Sequence, residues 1–379
     1  MGDEAIPRGR AGAVRGRPRG AVGLAPDAGA APGRGAGANV AGRHERLGRE
    51  AVHDGWHAVE DMPPLRTEVR DERAGRVVSR NVSPDLPFDR AINPYRGCEH
   101  GCVYCFARPT HAWLGLSPGL DFESRLVAKP GAAEALEREI GARGYVPRAI
   151  ALGSNTDPYQ PVERDRGITR AILRVLSDWN HPVTIVTKGA MVERDLDLLA
   201  PMAERGLVHA ALSVTTLDPA LSRAMEPRAP APARRLRAIE ALAGAGVPVR
   251  VSASPVIPAL TDHELEGILS AAAAAGATCA SAIPLRLPME VAPLFREWLA
   301  AHVPDRAARV MGRVREVHGG RDYDSEWHTR LSGQGVWADL LRRRFETACR
   351  RLGLSRQSTP MRTDLFARPP RPGDQLSLL

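Results

Sequence analysis

The sequence predicts an α/β fold built as a partial (βα)6 barrel of the TIM type, open on one side, with extra helices after it. Short β-branched runs alternate with longer helical patterns from about residue 90 onward, and most of the helical patterns end near a glycine. Such alternation implies right-handed βαβ units around a parallel sheet. Six units are too few to close an eight-stranded barrel.

The individual elements follow from these runs. The six predicted strands cover residues 91–93, 149–154, 183–188, 208–215, 247–253 and 278–285. The helical patterns between them cover residues 132–143, 164–178, 192–205, 232–245 and 262–275. Three further helices, at 290–301, 306–318 and 336–352, are expected to cover the flank or mouth of the barrel.

The chain divides into five segments. Residues 1–45 are rich in Gly, Ala, Pro and Arg and cannot bury enough apolar surface to offset the entropy of ordering, so we expect a disordered tail. Its arginines could contact nucleic acid phosphates, although a solvated tail or an overlong gene model explains them too. The other segments are an N-terminal extension (46–89), the barrel (90–288), a helical region (289–367) and a flexible tail (368–379).

Composition and charge narrow the class of protein. Hydrophobic residues make up 43% of the 379 residues and charged residues 25%, which is ordinary for a globular protein. No apolar run is long enough to span a bilayer and no signal-peptide core is present, so we expect a cytoplasmic protein without membrane contact. The net charge of +8 permits an acidic partner such as nucleic acid, although GC-rich codon usage also explains the arginine excess.

Three of the five cysteines, Cys98, Cys102 and Cys105, fall within eight residues, a spacing that suits metal ligation in a reducing compartment. Three thiolates can bind three irons of a cubane cluster and leave the fourth iron open, whereas electron-transfer clusters take four cysteines. The alternative is a zinc site, which needs His100 or His111 as its fourth ligand.

The spacing Cys-x3-Cys-x-Tyr-Cys after a first barrel strand resembles the signature loop of the radical S-adenosylmethionine (SAM) superfamily. The resemblance implies a [4Fe-4S] cluster on the three cysteines, with SAM bound at the open iron. It further implies that one electron cleaves SAM to a 5′-deoxyadenosyl radical, which abstracts hydrogen from a substrate. An electron donor such as flavodoxin or ferredoxin is then needed.

Polar residues at strand ends are the candidates for SAM binding, because functional residues gather at the C-terminal ends of parallel strands. The resemblance places the methionyl amine near the second strand end, the carboxylate at the third, the ribose at the fourth and adenine beside the last cysteine. In that order the residues are Ser154, Asn155 and Asp157, then Lys188, then Ser213 and Thr215, and finally Tyr104, with Ser254 after the fifth strand. Helix capping and turn formation are the alternative roles for the Ser, Thr and Asp residues.

Residues 106–111, 154–163 and 188–189 resemble radical SAM proteins related to spore photoproduct lyase, a group often labelled DNA repair photolyase-like. The lyase uses a cysteine near the end of the second strand as hydrogen donor, where this chain has Gly153, so spore photoproduct repair itself is not expected. Cys279 could replace that donor if its thiol faces the mouth, although free cysteines are often buried. Arg286 could bind a phosphate or carboxylate there, or pair with a nearby acid.

The C-terminus resembles the pentapeptide by which bacterial polymerases and repair proteins bind the sliding clamp. A free end can insert such a peptide into an apolar groove, and the alternative is an apolar tail that packs on its own domain. The residues are Gln375, Leu376, Ser377, Leu378 and Leu379.

Together these features predict a radical SAM enzyme that acts on nucleic acid, plausibly by a lyase-type or related repair reaction on a DNA lesion. Two alternatives remain open at the level of sequence. One is radical SAM modification of RNA, a peptide or a cofactor precursor. The other is a non-catalytic zinc or iron-sulfur module recruited to the clamp.

Overall fold

The computed structural model describes residues 33–45 and 65–370. The clamp-like peptide and the first 32 residues of the expected tail lie outside this part. Within it the chain forms two sheets. Their strands are β1 (Glu68–Asp71), β2 (Val78–Arg80), β3 (Arg90–Ile92), β4 (Tyr95–Arg96), β5 (Arg125–Ala128), β6 (Ile150–Leu152), β7 (Val183–Thr187), β8 (Val208–Ser213), β9 (Val249–Val256) and β10 (Cys279–Pro284).

Helices connect and cover these strands. The α-helices of the described residues are α1 (Asp121–Ser124), α2 (Ala132–Ile140), α3 (Glu163–Arg166), α4 (Ile168–Asp178), α5 (Leu196–Glu204), α6 (Pro219–Met225), α7 (Pro232–Gly244), α8 (Leu265–Ala274), α9 (Val291–His302), α10 (Pro304–Val317) and α11 (Gly335–Leu352). Short 3-10 helices occupy Arg108–Leu114, Ala190–Asp195 and Asp262–Glu264.

The main sheet confirms the predicted partial barrel of six parallel strands. Its order is β10-β9-β8-β7-β6-β3-β2, and every neighbouring pair from β3 to β10 is parallel. The extra strand β2 pairs antiparallel with β3 and ends one side of the sheet, while β10 ends the other. The sheet therefore stays open between β2 and β10. A second sheet, β1-β5-β4, lies beside it.

Burial explains why the strand and helix patterns lead to this arrangement. All six residues of β8, in the middle of the sheet, are buried, as expected for a strand covered on both faces. Helix α4 buries Ile168, Ile172 and Leu176, which share one helical face. The predicted helix over 164–178 is instead two helices, because Gly167 adopts a left-handed conformation (φ +63°) between α3 and α4.

The C-terminal region forms the three predicted helices. Helix α11 packs on α8 and β10, and α9 packs on α10. Cys349, on α11, is buried at 2% exposure and is a packed thiol. No helix of the described residues is long and apolar enough to cross a membrane.

Residues 33–45 correct the expectation of a disordered tail over 1–45. Arg34 is buried and donates hydrogen bonds to the carbonyl oxygens of Glu123 (2.7 Å) and Leu65 (2.6 Å). The peptide nitrogens of Gly35 and Ala36 donate to the Glu123 carboxylate at 2.8 and 2.9 Å. This segment lacks large apolar residues, so buried polar contacts, rather than hydrophobic burial, hold it in place.

Candidate active site

The three clustered cysteines lie on a loop, residues 97–105, that we call the cysteine loop. It follows β3 and β4 and therefore lies at the C-terminal edge of the parallel sheet. Two glycines give the loop its path: Gly97 (φ +79°) and Gly101 (φ +67°). A Cβ on Gly97 would approach the Phe122 carbonyl oxygen to 2.7 Å, and one on Gly101 would approach Glu123 Oε2 to 2.4 Å. Both positions therefore require glycine.

The cysteine thiols are shielded from solvent and lie close enough to affect one another's charge. Cys98 and Cys102 are buried and Cys105 is half-buried. Burial raises the pKa of Cys98 well above its usual range, and negative charge on Asp157, Cys102 and Cys105 raises it further. Burial also raises the pKa of Cys102, to about 12, against the opposing effect of the Lys188 ammonium. Metal binding at these thiols must therefore release protons.

This set of donors fits an iron-sulfur cluster better than a single zinc ion. The histidines that a zinc site would need have other partners: His100 Nδ1 lies 3.2 Å from Asp157 Oδ2, and His111 Nε2 lies 2.9 Å from the Arg125 carbonyl oxygen. Among the described residues, no three His, Cys, Asp or Glu side chains converge so as to hold one metal ion. A cubane binds each thiolate at a separate iron and does not require such convergence.

Asp157, predicted as a SAM contact, joins the cysteine loop to two strand ends. Its Oδ1 accepts hydrogen bonds from Thr187 Oγ1 (2.6 Å) and the Tyr159 nitrogen (2.9 Å), and its Oδ2 accepts one from the Lys188 nitrogen (2.7 Å). Burial alone would raise the pKa of Asp157, but the His100 imidazole and these donors lower it to about 2. Its oxygens thus accept hydrogen bonds from the protein, and its contact with SAM stays a prediction.

We expect Asp157→Asn to lower the free energy of unfolding by about 2 kcal/mol, because an amide nitrogen would then face the Lys188 and His100 donors. Urea unfolding of the apo protein measures this change. Asp364→Asn is the control, since Asp364 forms an exposed pair with Arg362 that contributes at most about 1 kcal/mol. Equal losses in the two variants would contradict the structural role of Asp157.

The loop after β6 holds the other two residues predicted to bind the SAM amine. Ser154 and Asn155 are half-buried, and Asn93 binds both: its Oδ1 accepts from the Asn155 nitrogen (2.8 Å) and its Nδ2 lies 3.3 Å from Ser154 Oγ. The Asn155 side chain makes no hydrogen bond within the described residues and stays available for a ligand. Sequence reasoning missed the role of Asn93.

Gly153 ends β6 at the position where the lyase resemblance places a hydrogen-donating cysteine. Its φ is +92°, and a Cβ there would lie 2.4 Å from Pro158 Cδ and 2.5 Å from the Val186 carbonyl oxygen. No side chain fits at this position without movement of the backbone. The local fold therefore excludes a cysteine here.

Lys188 and Tyr104 lie together on one side of the cysteine loop. Lys188 directly follows β7, and its Nζ is 5.7 Å from the centroid of the Tyr104 ring. Its positive charge acts to lower the pKa of Cys102. A cation beside the thiols at the mouth of the barrel suits the predicted pairing of Lys188 with the SAM carboxylate.

Tyr104 is held by a buried carboxylate that the sequence analysis did not identify. Its hydroxyl donates to Glu226 Oε1, which also accepts from Thr215 Oγ1 at 2.8 Å. The other carboxylate oxygen pairs with Arg235, whose Nη1 lies 3.3 Å from the Ser213 carbonyl oxygen. Thr215 is 2% exposed and supports Glu226, and its contact with the ribose stays a prediction.

Ser254 differs from these residues because its hydroxyl oxygen is buried without a hydrogen-bond partner within the described residues. It lies near the C-terminal end of β9, the strand beside β10. An unpaired buried hydroxyl is costly. This orphan atom fits the predicted contact with a bound ligand.

The predicted hydrogen donor, Cys279, and the predicted anion-binding residue, Arg286, lie at opposite ends of β10. Cys279 opens the strand, pairs in register with Arg250 at the start of β9, and has its sulfur 3.4 Å from the Gln357 carbonyl oxygen. It lies at the N-terminal edge, away from the cysteine loop, so its predicted role as hydrogen donor is wrong. Arg286 follows the strand's C-terminal end and lies over the Phe106 ring, 4.7 Å from its centroid.

The support of the cysteine loop was also missed by sequence reasoning. Arg108 is fully buried and donates to the carbonyl oxygens of Cys102 (2.9 Å) and Gly101 (3.1 Å) and to Glu123 Oε1 (2.6 Å). On the other side of the loop, Gln160 Oε1 accepts from the Glu99 nitrogen at 2.8 Å. In the sequence, the only indication of this role was that Arg108 follows Cys105 by three residues.

Comparison with known proteins agrees with this geometry. Residues 92–272 match the family model of the radical SAM superfamily. A protein of Mycobacterium tuberculosis is 40% identical over 235 residues, which cover 62% of this chain and 68% of the relative. A protein of Methanocaldococcus jannaschii is 29% identical over 199 residues, covering 52% of this chain and 71% of the relative. Both relatives are described as uncharacterized proteins.

Solved structures show the same fold. Spore photoproduct lyase complexed with dinucleoside spore photoproduct has a TM-score of 0.54 at 16% identity, over 76% of this chain and 81% of that one. A double mutant of that lyase with bound AdoMet and dinucleoside spore photoproduct has a TM-score of 0.53 at 16% identity, over 77% and 82%. Radical SAM proteins use a [4Fe-4S] cluster and SAM. With its family-model match, its fold and its three-cysteine loop, this chain belongs to the radical SAM superfamily.

Proposed function

We propose that this chain is a radical SAM enzyme that holds its [4Fe-4S] cluster on Cys98, Cys102 and Cys105 and acts on nucleic acid. One observation carries the first part: three shielded thiols, without a fourth cysteine on the cysteine loop, lie at the C-terminal edge of an open six-stranded parallel barrel. The open edge gives a large substrate access to that site.

The residues around the cysteine loop divide the binding of SAM among them. Lys188 would pair with the carboxylate, Asn155 would receive the methionyl amine, and the orphan hydroxyl of Ser254 would contact the bound cofactor. Tyr104, fixed by Glu226, would pack beside the adenine. When bound, the reduced cluster and SAM together supply a 5′-deoxyadenosyl radical, for which a flavodoxin or ferredoxin provides the electron. Burial of Cys98 and Cys102 limits the access of water to the cluster.

The choice of DNA as substrate has three supports. The net charge is +8, the described fold resembles that of an enzyme solved with a dinucleoside lesion, and residues 375–379 resemble a sliding-clamp peptide. We propose a repair-type reaction that differs from the lyase's own, because Gly153 leaves no room for a donor cysteine. Docking on the clamp through the C-terminal peptide would bring the enzyme to DNA.

Anaerobic reconstitution with iron and sulfide, followed by reduction with SAM present, tests the proposal. We expect a brown protein that forms 5′-deoxyadenosine, and loss of both properties in Cys102→Ala. Cys349→Ala is the matched control, since this buried thiol lies on α11, away from the cysteine loop, and its loss should leave the product. A native protein that binds zinc and forms no 5′-deoxyadenosine would refute the proposal.

A further inference from the structure

An arginine and an aromatic ring flank the third cysteine on the side of the mouth formed by β10. Arg286 lies two residues beyond the end of β10, and Phe106 directly follows Cys105. The guanidinium carbon is 4.7 Å from the ring centroid, and the Phe106 residue is 47% exposed. A positive charge and an accessible ring surface thus lie next to the site where the cluster binds.

Arg286 has no carboxylate of its own in the part of the chain that the structure describes. Three groups act to raise its pKa, Tyr323, Cys105 and Asp85, and only Asp85 is a carboxylate. Asp85 is already used: Arg330 Nε donates to Asp85 Oδ2 at 2.7 Å, and the His328 nitrogen donates to Oδ1 at 2.7 Å. Burial lowers the pKa of Arg286, and the like charge of Arg330 lowers it further. Arg286 is half-buried and has no carboxylate partner among the described residues, so this position favours an anionic ligand.

The carboxylate of SAM does not account for this second cation. Lys188 already offers a positive charge beside Tyr104 and Cys102. Lys188 follows β7 and Arg286 follows β10, and two further strands separate them in the sheet. SAM carries a single carboxylate, so one of these two cations remains for a different molecule.

We propose that Arg286 and Phe106 form a substrate subsite in which the guanidinium binds a phosphodiester and the ring stacks on the adjacent base. The planar guanidinium donates two parallel hydrogen bonds to a phosphate, and an aromatic ring stacks on a base of any sequence. This inference rests on the proposed function and deepens it, since it assigns the residues that recognise the nucleic acid.

Oligonucleotide binding tests the subsite without chemistry. The probe is a fluorescein-labelled oligothymidylate, titrated with the reconstituted protein and SAM without reductant and followed by anisotropy. Arg286→Gln is expected to raise the Kd about 10-fold or more, because hydrogen bonds between charged groups are lost. Arg313→Gln removes the same charge from an exposed pair with Glu316 on α10 and should change the Kd less than about 2-fold.

The ring is tested separately. Phe106→Leu keeps an apolar side chain but removes the stacking surface, and it should raise the Kd about 10-fold. Phe106→Tyr retains the ring and should bind as the native protein does. Polyglutamate at equal charge should not displace the probe, because it offers no base and no phosphate.

The subsite would be overturned by native-like oligonucleotide binding by Arg286→Gln, by displacement of the probe by polyglutamate as readily as by unlabelled oligonucleotide, or by a 10-fold rise in the KM for SAM in Arg286→Gln. The last result would assign Arg286 to the SAM carboxylate. A native protein that forms 5′-deoxyadenosine but does not bind the probe refutes the subsite alone. One that binds the probe through Arg286 but forms no 5′-deoxyadenosine refutes the proposed reaction and supports the subsite.

Discussion

Replacing Arg108 with glutamine is expected to lower the free energy of unfolding by about 3–5 kcal/mol, because the buried Glu123 carboxylate would lose its cationic partner. The arginine also holds the Cys102 and Gly101 carbonyl oxygens, so the cysteine loop should lose its shape. Urea unfolding of the apo protein measures the first effect. Iron and sulfide content per folded protein after reconstitution measures the second, and we expect it to fall several-fold.

Two matched variants distinguish loss of the buried Arg108–Glu123 ion pair from loss of any one charge. Glu123→Gln removes the other partner and also weakens the bonds to Gly35 and Ala36, so it should be at least as damaging. Arg342→Gln breaks an exposed pair with Asp339 and should cost less than about 1 kcal/mol. If Arg108→Gln unfolds at the same urea concentration as Arg342→Gln and retains its iron, the buried pair does not support the loop.

The fold was predictable from the sequence because its signal is local and repeated. Each β-branched run became a parallel strand, and each amphipathic stretch became a helix on the sheet. Among the predicted elements the errors were in boundaries, whereas β2, α6 and the second sheet were not predicted. Gly167 divides a predicted helix because a left-handed glycine both ends α3 and precedes α4, and helical periodicity continues across such a break.

The position of a residue along its strand decides whether it can reach the mouth, and this position separates the two candidates of the sixth strand. Arg286 was placed after the sixth strand and does lie at the C-terminal edge. Cys279 was placed one residue inside the same strand and lies at the opposite edge. Because a strand of six residues spans about 20 Å, one end of β10 is adjacent to the cluster site and the other is remote from it.

The contacts that hold the site together could not be predicted, since they join segments distant in sequence. Arg34 was read as part of a disordered tail from local composition, yet it bonds to the carbonyl oxygen of Glu123, 89 residues away. Tyr104 bonds to Glu226, 122 residues away. Neither pairing leaves a local pattern, because a buried hydrogen bond needs only a donor and an acceptor anywhere in the chain.

The second large effect is expected at Glu226, which holds Tyr104 and the buried Arg235. Glu226→Gln would leave the Arg235 guanidinium without a counter-charge, and removal of one partner from a buried pair typically costs about 3–5 kcal/mol. The amide would also present a donor toward either Arg235 or the hydroxyls of Tyr104 and Thr215. We therefore expect lower stability in urea and, in the protein that remains folded, weaker SAM binding by equilibrium dialysis.

Tyr104→Phe distinguishes the position of the ring from the charge pair. It removes one hydroxyl but leaves Glu226 bonded to Thr215 and Arg235, so it should cost only about 1 kcal/mol. If Glu226 acts on the cofactor through Tyr104, the variant that combines Tyr104→Phe with Glu226→Gln should bind SAM no more weakly than Glu226→Gln alone. If the losses of SAM affinity in the two single variants add up fully in the double variant, Glu226 supports the fold without fixing Tyr104. Two residues that act through one shared contact would instead give a smaller combined loss.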